Sequence, residues 1–315
     1  MRIFRHYTDL PGDARGCVVA VGNFDGIHRG HQVVINEAGV IARAENRPWA
    51  VMSFEPHPDA LFKPEAAPFR LSTMRTKARM IEALGVDELL IQTFDLEFAG
   101  LTAEAFVDKV IVEGLGASHV VAGYDFKFGK KRQGDCDTLL HMGRARGFGF
   151  TAVSKVTDAD GVVYSSTRVR DALRAGDARS AAMVLGRPFE LEGRVEHGDA
   201  RGRKLGFPTA NIHLGEFLRP ATGVYAIRAG VDAGPDTVWI DGVANFGRRP
   251  TFHAADDVVL EAHLFDFSGD LYGKHLRVKL CERLRDEQKF DGLDALVAQI
   301  RLDSEKAKEI LAKSV

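Results

Sequence analysis

Gly22-Asn23-Phe24-Asp25-Gly26-Ile27-His28-Arg29-Gly30-His31 joins an apolar run, CVVAVG (17–22), to HQVVINEAGVIARAEN (31–46), in which Val34, Ala38 and Ile41 recur at helical spacing. A buried strand, a glycine-rich turn and a helix in that order form the opening unit of a parallel sheet covered by helices. The turn holds HxGH. Its two histidines stand three apart at the helix start and face the same way. Free backbone N–H groups and the positive end of the helix dipole lie beside them, a setting that favours a phosphate. Imidazole N–H donors placed there stabilise charge developing on a phosphoryl group without covalent chemistry. Two plainer readings stay open on these residues alone: a glycine turn with two surface histidines, and a histidine metal site, which lacks a spaced third ligand.

The alternation continues outward from this turn. Pro48 marks a break, WAVMSF (49–54) reads as the next strand, 73–84 as a helix, ELLIQTF (88–94) and HVVA (119–122) as strands. Between the last two, Thr102 reads as a cap with Glu104 in the first turn, and Phe106, Val107, Val110 and Ile111 as a buried stripe. After about Leu185 the texture changes to Gly and Pro punctuation with period-two strands such as VVLEAHLF (258–265) and LRVKL (276–280), which read as an antiparallel barrel. Residues 293–313 read as one or two closing helices. The expected architecture is an α/β, Rossmann-like N-terminal domain with a parallel sheet over 1–185. A mainly β domain over 186–315, an antiparallel barrel with a terminal helix, follows it.

A length of 315 residues suits two domains, and 45% hydrophobic with 27% charged residues is an ordinary globular composition. Lys plus Arg total 42 against 44 for Asp plus Glu, so the basic excess that nucleic acid or an acidic membrane selects is absent, and neither partner is expected. No obligate protein partner is evident either. Cys17, Cys136 and Cys281 are an odd number, far apart, without a CxxC pair, and read as reduced thiols of a cytoplasmic protein. The first 16 residues have no apolar core and no long uncharged apolar run occurs elsewhere, so neither export nor membrane insertion is expected.

Four further strings carry chemistry. In YSSTRVR (164–170), Ser165, Ser166, Thr167 and Arg168 precede a helical stretch, so hydroxyls, free N–H groups and a two-pronged guanidinium converge on an anion; an ordinary Ser/Thr cap is the plain alternative. In GYDFKFG (123–129), Phe126 and Phe128 flank a planar ring and Asp125 accepts a hydrogen bond from ribose or base, or else the phenylalanines are a core pair. Pro56, His57 and Pro58 form either a rigid wall or a plain turn. In HGDARGRKLGFPTAN (197–211), Gly198, Gly202 and Gly206 let backbone N–H groups approach phosphates, Phe207 and Pro208 follow, and Thr209 and Asn211 offer hard oxygens to Mg²⁺; a flexible basic hairpin is the alternative. No Walker A pattern occurs, because Lys130 and Lys274 are not followed by Ser or Thr. Glu261 sits mid-strand in an apolar run and is the carboxylate best placed as a general base, unless it simply faces outward.

Taken together, GNFDGIHRGH, SFEPHP, GYDFKFG, YSSTRVR, GRKLGFPTAN, GVANFGRRPT, LEAHLFDFSGDLYG and LRDEQKF resemble, in order, the bifunctional bacterial riboflavin kinase/FAD synthetase family over nearly the whole chain. The resemblance implies a C-terminal kinase. There Glu261 removes the proton of the riboflavin ribityl 5′-hydroxyl, which attacks the γ-phosphate of ATP, with Mg²⁺ near Thr209 and Asn211 and ATP along Gly198, Gly202, Gly206, Phe207 and Pro208. It also implies an N-terminal adenylyltransferase in which FMN attacks the α-phosphate of a second ATP to give FAD. His28 and His31 stabilise that transition state, Gly22, Asn23, Phe24, Asp25, Asp125 and Ser165 line the ATP, and Ser166, Thr167 and Arg168 hold the departing pyrophosphate. Flavin contacts are implied for Pro56, His57, Pro58, Phe126, Phe128, Arg285 and Phe290. The chain departs from the pattern at Asp125, where many members have Asn. Two other functions compete: a nucleotidyltransferase for another acceptor with the barrel as a binding module, and a non-catalytic flavin- or nucleotide-binding regulator. The PTAN run together with a mid-strand Glu261 counts against both.

Overall fold

The computed structural model describes residues 1–63, 68–197, 206–248 and 258–313. The chain forms two compact units, Met1–Ala66 with Met74–Ser165, and Ala67–Thr73 with Ser166–Val315.

The first unit is built on a six-stranded parallel sheet of order β1-β4-β3-β2-β5-β6. Its strands are β1 (Arg2–Phe4), β2 (Val18–Val21), β3 (Trp49–Glu55), β4 (Glu88–Thr93), β5 (His119–Gly123) and β6 (Gly149–Val153). The helices are α1 (Arg29–Glu45), α2 (Pro58–Phe62), α3 (Met74–Glu82), α4 (Leu96–Ala99), α5 (Ala103–Ala105) and α6 (Cys136–Arg146). The expected strands and helices are all present, with ends moved by one or two residues. The sequence does not mark β1, α2, α4, α6 or β6. β1 is three residues long and β6 (GFTAV) carries little apolar patterning, so neither stands out from loop.

Unbroken apolar strands are explained by burial on both faces. Val19 and Val21 of β2 belong to one core cluster with Phe106, Val107 and Val110, while Val18 and Ala20 belong to another with Val34, Ile35 and Ala38 of α1. Thr102 caps α5 as expected, its hydroxyl accepting from the Ala105 N–H at 3.1 Å. The apolar stripe that follows, Phe106–Gly114, winds as a π-helix, with Leu115 N–H reaching the Val110 carbonyl at 2.9 Å.

The chain steps from β2 to β3 to β4 on one side, then returns to place β5 against the other edge of β2. The switch of direction opens a crevice beyond the carboxyl ends of β2 and β5, where open α/β sheets bind ligands. GNFDGIHRGH leaves β2 and GYDFKFG leaves β5, so both strings sit at that crevice.

The second unit holds α7 (Ser166–Arg174), α8 (Ala178–Leu185) and a closed antiparallel barrel of order β10-β11-β8-β7-β12-β9. Its strands are β7 (Phe189–Glu196), β8 (Ala210–His213), β9 (Gly223–Val231), β10 (Ile240–Arg248), β11 (Val258–Leu264) and β12 (His275–Arg285). One closing helix, α9 (Leu293–Lys313), buries Ala307 and Leu311 against Val224, Ala226, Val243 and Leu284. By packing, α7 and α8 go with the barrel, although the change of texture in the sequence falls after Leu185. Ala221 N–H donates to the Leu173 carbonyl, Arg179 pairs with Glu282, and a Cβ at Gly176 would lie 2.6 Å from Arg283 Cδ. Helical periodicity shows that a helix has a buried face but not which sheet covers it.

Candidate active sites

In the first unit the loop after β2 is held by its own apolar residues. Phe24 and Ile27 take left-handed backbone (φ +47° and +44°), flanking Gly26 at +81°. Such a conformation costs about 1–3 kcal/mol per non-glycine residue. Burial of both side chains, which are 2% and 1% exposed and packed against α1, offsets it. The loop backbone is tied from below: the Asn23 carbonyl accepts from Ser53 Oγ at 3.0 Å and from Lys77 Nζ at 2.8 Å, and Lys77 Nζ also donates to Ser53 Oγ at 3.0 Å. Lys77, on α3, is buried. It went unnoticed in the sequence because a lysine among MRTKARM looks like any solvated helix residue.

His28 is the N-cap of α1, its Nδ1 accepting from the His31 N–H at 3.3 Å. In the neutral imidazole the proton is then on Nε2, which makes that atom a donor. The rings of His28 and His31 stack with centroids 3.6 Å apart, and Phe24 meets His31 edge-on at 5.3 Å. The histidines therefore face the same way, as HxGH predicts. The glycine between them leaves room for the ring: a Cβ on Gly30 would lie 3.1 Å from His28 Cε1 and Nδ1 and 3.4 Å from the Tyr164 carbonyl oxygen, tighter than ordinary contact. That contact brings the start of YSSTRVR to the HxGH loop. Ser165 closes the first unit, while Ser166, Thr167 and Arg168 form the first turn of α7 in the second. Gly22 lies beneath the Phe24 ring, and Asp25 is buried at 2% exposure.

At the end of β5, Asp125 is exposed. Phe126 and Phe128 stack on each other with centroids 5.7 Å apart, and Phe128 is a core residue packed on Phe106. A ring held between two others needs about twice the 3.5–4.0 Å contact distance. The expectation that the two phenylalanines flank a planar ring is therefore corrected: Phe128 is drawn into the core, and only Phe126 keeps partial exposure. The SFEPHP turn has a structural centre too, since buried His57 caps α2 by accepting from the Asp59 N–H at 3.1 Å. Pro58 opens that helix and Phe62 ends it, 61% exposed with its ring edge against Phe94. This outward-facing aromatic beside the turn was missed in the sequence; an exposed Phe next to two prolines was the available signal.

In the barrel, Glu261 of β11 lies directly opposite Asn211 of β8 on one side and Asn245 of β10 on the other. Alternation puts these three polar side chains in one row on one face. Thr209 precedes β8 by one residue and shares the parity of Asn211. The mid-strand carboxylate thus meets the PTAN run, and Asn245 of GVANFGRRPT joins them. Gly247 lies beneath Asn245 Nδ2 and Glu287 Oε1, 2.7 and 2.9 Å from where its Cβ would be, so a second carboxylate stands nearby. A cleft of about 70 Å³ is lined by Thr209 and Pro208 of the PTAN run with Ala210, Ala262, Leu264 and Tyr272; Ala210 and Ala262 alternate with Asn211 and Glu261, so it opens on the other strand face from the polar row. Gly206 holds φ +85°, backbone that only glycine adopts without strain. Phe207 packs edge-on against His263, whose Nδ1 bonds the Pro208 carbonyl at 2.9 Å. Gly198 and Gly202 lie outside the described residues.

Arg285 and Phe290 are neighbours as the resemblance implies, the guanidinium carbon 5.7 Å from the ring centre. The N–H groups of Arg285, however, go to buried Asp303 of α9 at 2.8–3.0 Å and to the Asp286 carbonyl at 2.8 Å. Arg285 thereby clamps the closing helix to β12.

No helix among the described residues is long and apolar enough to cross a membrane. Residues 10–168 match the family model described as FAD synthetase, and residues 185–311 the one described as riboflavin kinase. The bifunctional riboflavin kinase/FMN adenylyltransferase of Pseudomonas fluorescens is 43% identical over 314 residues, covering 100% of this chain and 99% of its own length. That of Escherichia coli K12 is 43% identical over 311 residues (98% and 97%), and that of Bacillus subtilis 40% over 296 (92% and 91%). A crystal structure from Streptococcus pneumoniae described as a macrolide-efflux protein superposes with TM-score 0.85 at 32% identity, over 97% of this chain and 98% of that one. Two matched domains and full-length relatives of one description agree with two unlike sites on two unlike units: the chain belongs to the bifunctional riboflavin kinase/FMN adenylyltransferase family and makes FMN from riboflavin and FAD from FMN, with ATP as co-substrate.

Proposed function

We propose that Glu261 is the general base of the kinase step. It takes the proton of the ribityl 5′-hydroxyl as that oxygen attacks the γ-phosphate of ATP, and FMN and ADP leave. The observation that carries this reading is the cross-strand row Asn211–Glu261–Asn245, which sets one carboxylate between two neutral amides at the end of the PTAN run. Thr209 and Asn211 offer neutral, hard oxygen donors, which fit Mg²⁺. When bound, Mg²⁺ neutralises charge on the phosphate oxygens. The two amides orient the acceptor and the carboxylate, and Gly206, Phe207 and Pro208 approach the nucleotide, with Gly198 and Gly202 on the same run.

In the second step His28 and His31 donate to the α-phosphate oxygens as an FMN phosphate oxygen attacks. Ser166, Thr167 and Arg168 retain the pyrophosphate that leaves, and the loop 22–25, Asp125 and Ser165 line the ATP. The Nδ1 cap supports this, because it puts the proton of the neutral His28 ring on Nε2. Phe126, Phe62 and the turn of Pro56, His57 and Pro58 give the flavin an apolar wall, while Arg285 and Phe290 border the riboflavin of the barrel. Adenylyl transfer belongs to 1–185 and kinase chemistry to 186–315. Both run in the cytoplasm, where thiols such as Cys136 and Cys281 stay reduced. Flavins and ATP suffice as partners, with no nucleic acid or membrane. Glu261→Gln tests the assignment: chromatography of the products is expected to show FMN formation from riboflavin reduced about 100-fold or more, with FAD formation from FMN intact. Equal loss of both steps in a folded variant overturns it.

A further inference from the structure

The barrel carries a second cluster of donor atoms that neither step uses. Glu192 of β7, His275 at the start of β12 and Asp232 just after β9 each offer one ligand atom, all within 4.8 Å of one another. β12 pairs with both β7 and β9, and the Asp232 N–H donates to the His275 carbonyl at 2.9 Å, so three adjacent strands bring the three side chains together.

His275 Nε2 and Glu192 Oε2 are 3.6 Å apart. Donors around a tetrahedral Zn²⁺ with bonds of about 2.0–2.2 Å stand roughly 3.3–3.6 Å from each other. The other Glu192 oxygen, Oε1, accepts from Thr73 Oγ1 at 2.8 Å, which turns Oε2 toward His275 as an outer-shell bond does for a ligating carboxylate. His275 Nε2 is buried and, among the described residues, makes no hydrogen bond.

Arg277 pairs with Glu190 at 2.8 and 3.1 Å and with Asp232 at 3.8 Å. Two carboxylates and an imidazole make a mixed nitrogen and oxygen set, which suits zinc better than magnesium. Along β7, Glu192 lies four residues from Glu196, the register partner of Asn211, a distance of about 13 Å at the rise of a strand.

We propose that Glu192, Asp232 and His275 form a divalent transition-metal site, filled by Zn²⁺, with an open position for water and distinct from the Thr209–Asn211–Glu261 row. The full chain, stripped with chelator and held in excess Mg²⁺, is titrated calorimetrically with Zn²⁺ alone, and separately with Co²⁺ to read the visible bands of tetrahedral coordination. Wild type is expected to bind one Zn²⁺ at this site, with at least tenfold weaker affinity in His275→Asn and in Asp232→Asn, and with riboflavin phosphorylation in Mg²⁺ unchanged in both. Asp232 is partly exposed, so its variant keeps the test decisive if the histidine variant fails to fold. Unchanged Zn²⁺ binding in the variants, or none in wild type, overturns the proposal and leaves His275 as an ion-pair partner of Glu192.

Discussion

Replacing Gly30 by alanine asks whether the position of the His28 ring matters to adenylyl transfer. The new Cβ would lie 3.1 Å from His28 Cε1 and Nδ1, about 0.5 Å inside ordinary contact. The ring is held on its other side by the His31 N–H at 3.3 Å and by the stack on His31 at 3.6 Å. It therefore either moves by about 0.5 Å or gives up its cap, worth about 1 kcal/mol. Alanine is preferred over glycine in a helix by about 1 kcal/mol, so the two effects nearly cancel in overall stability. Activity has no such compensation. A 1 Å misplacement of a reacting group costs about 100-fold, so half that displacement costs about tenfold. FAD formed from FMN and ATP, FMN formed from riboflavin and ATP, and the melting temperature are measured on one preparation. FAD formation is expected to fall about tenfold, with FMN formation unaltered and melting within a few degrees of wild type. Wild-type FAD formation in Gly30→Ala would refute the reasoning, because the imidazole could then shift without consequence.

Other consequences follow from buried groups. Burial pushes the Cys17 thiol up to about 12, so in the native protein it should resist thiol reagents at pH 8 and react only after denaturation, as mass spectrometry of labelled peptides can show. Asp303→Ala leaves Arg285 without its main partner and should lower the unfolding free energy by about 3 kcal/mol, measured by urea denaturation; a loss near zero would mean that α9 docks by its apolar face alone. His119 has its pKa lowered, chiefly by burial, against the opposing pull of Glu45 and Glu37. Since the folded value lies below the unfolded 6.5, its contribution is present above pH 6.5 and is lost as pH falls toward the folded value. Melting temperature should decline over that window, and His119→Asn should flatten the decline.

Local physical chemistry was enough to read the two-part architecture. A strand, a glycine turn and a helix around residues 22–46 announce a parallel sheet because burial on both faces forces continuous apolar strands. Period-two runs with Gly and Pro punctuation announce the barrel. HxGH and PTAN with Glu261 were visible for the same reason: chemistry at a helix start or on one strand face is a matter of spacing along the chain. What escaped depends on distance in space. The sequence of α3 does not say that Lys77 turns inward to the Asn23 carbonyl, nor does GYDFKFG say that Phe128 is drawn into the core while Phe126 stays at the rim. The texture boundary at Leu185 does not reveal that α7 and α8 pack on the barrel. Nor do strands alone show that Asn211, Glu261 and Asn245 share a row, or that Glu192, Asp232 and His275 converge. Residue type and local period determined which groups this protein has to offer; closure of the barrel and the order of the sheet decided which of them meet, because register and packing join residues that the chain keeps tens of positions apart.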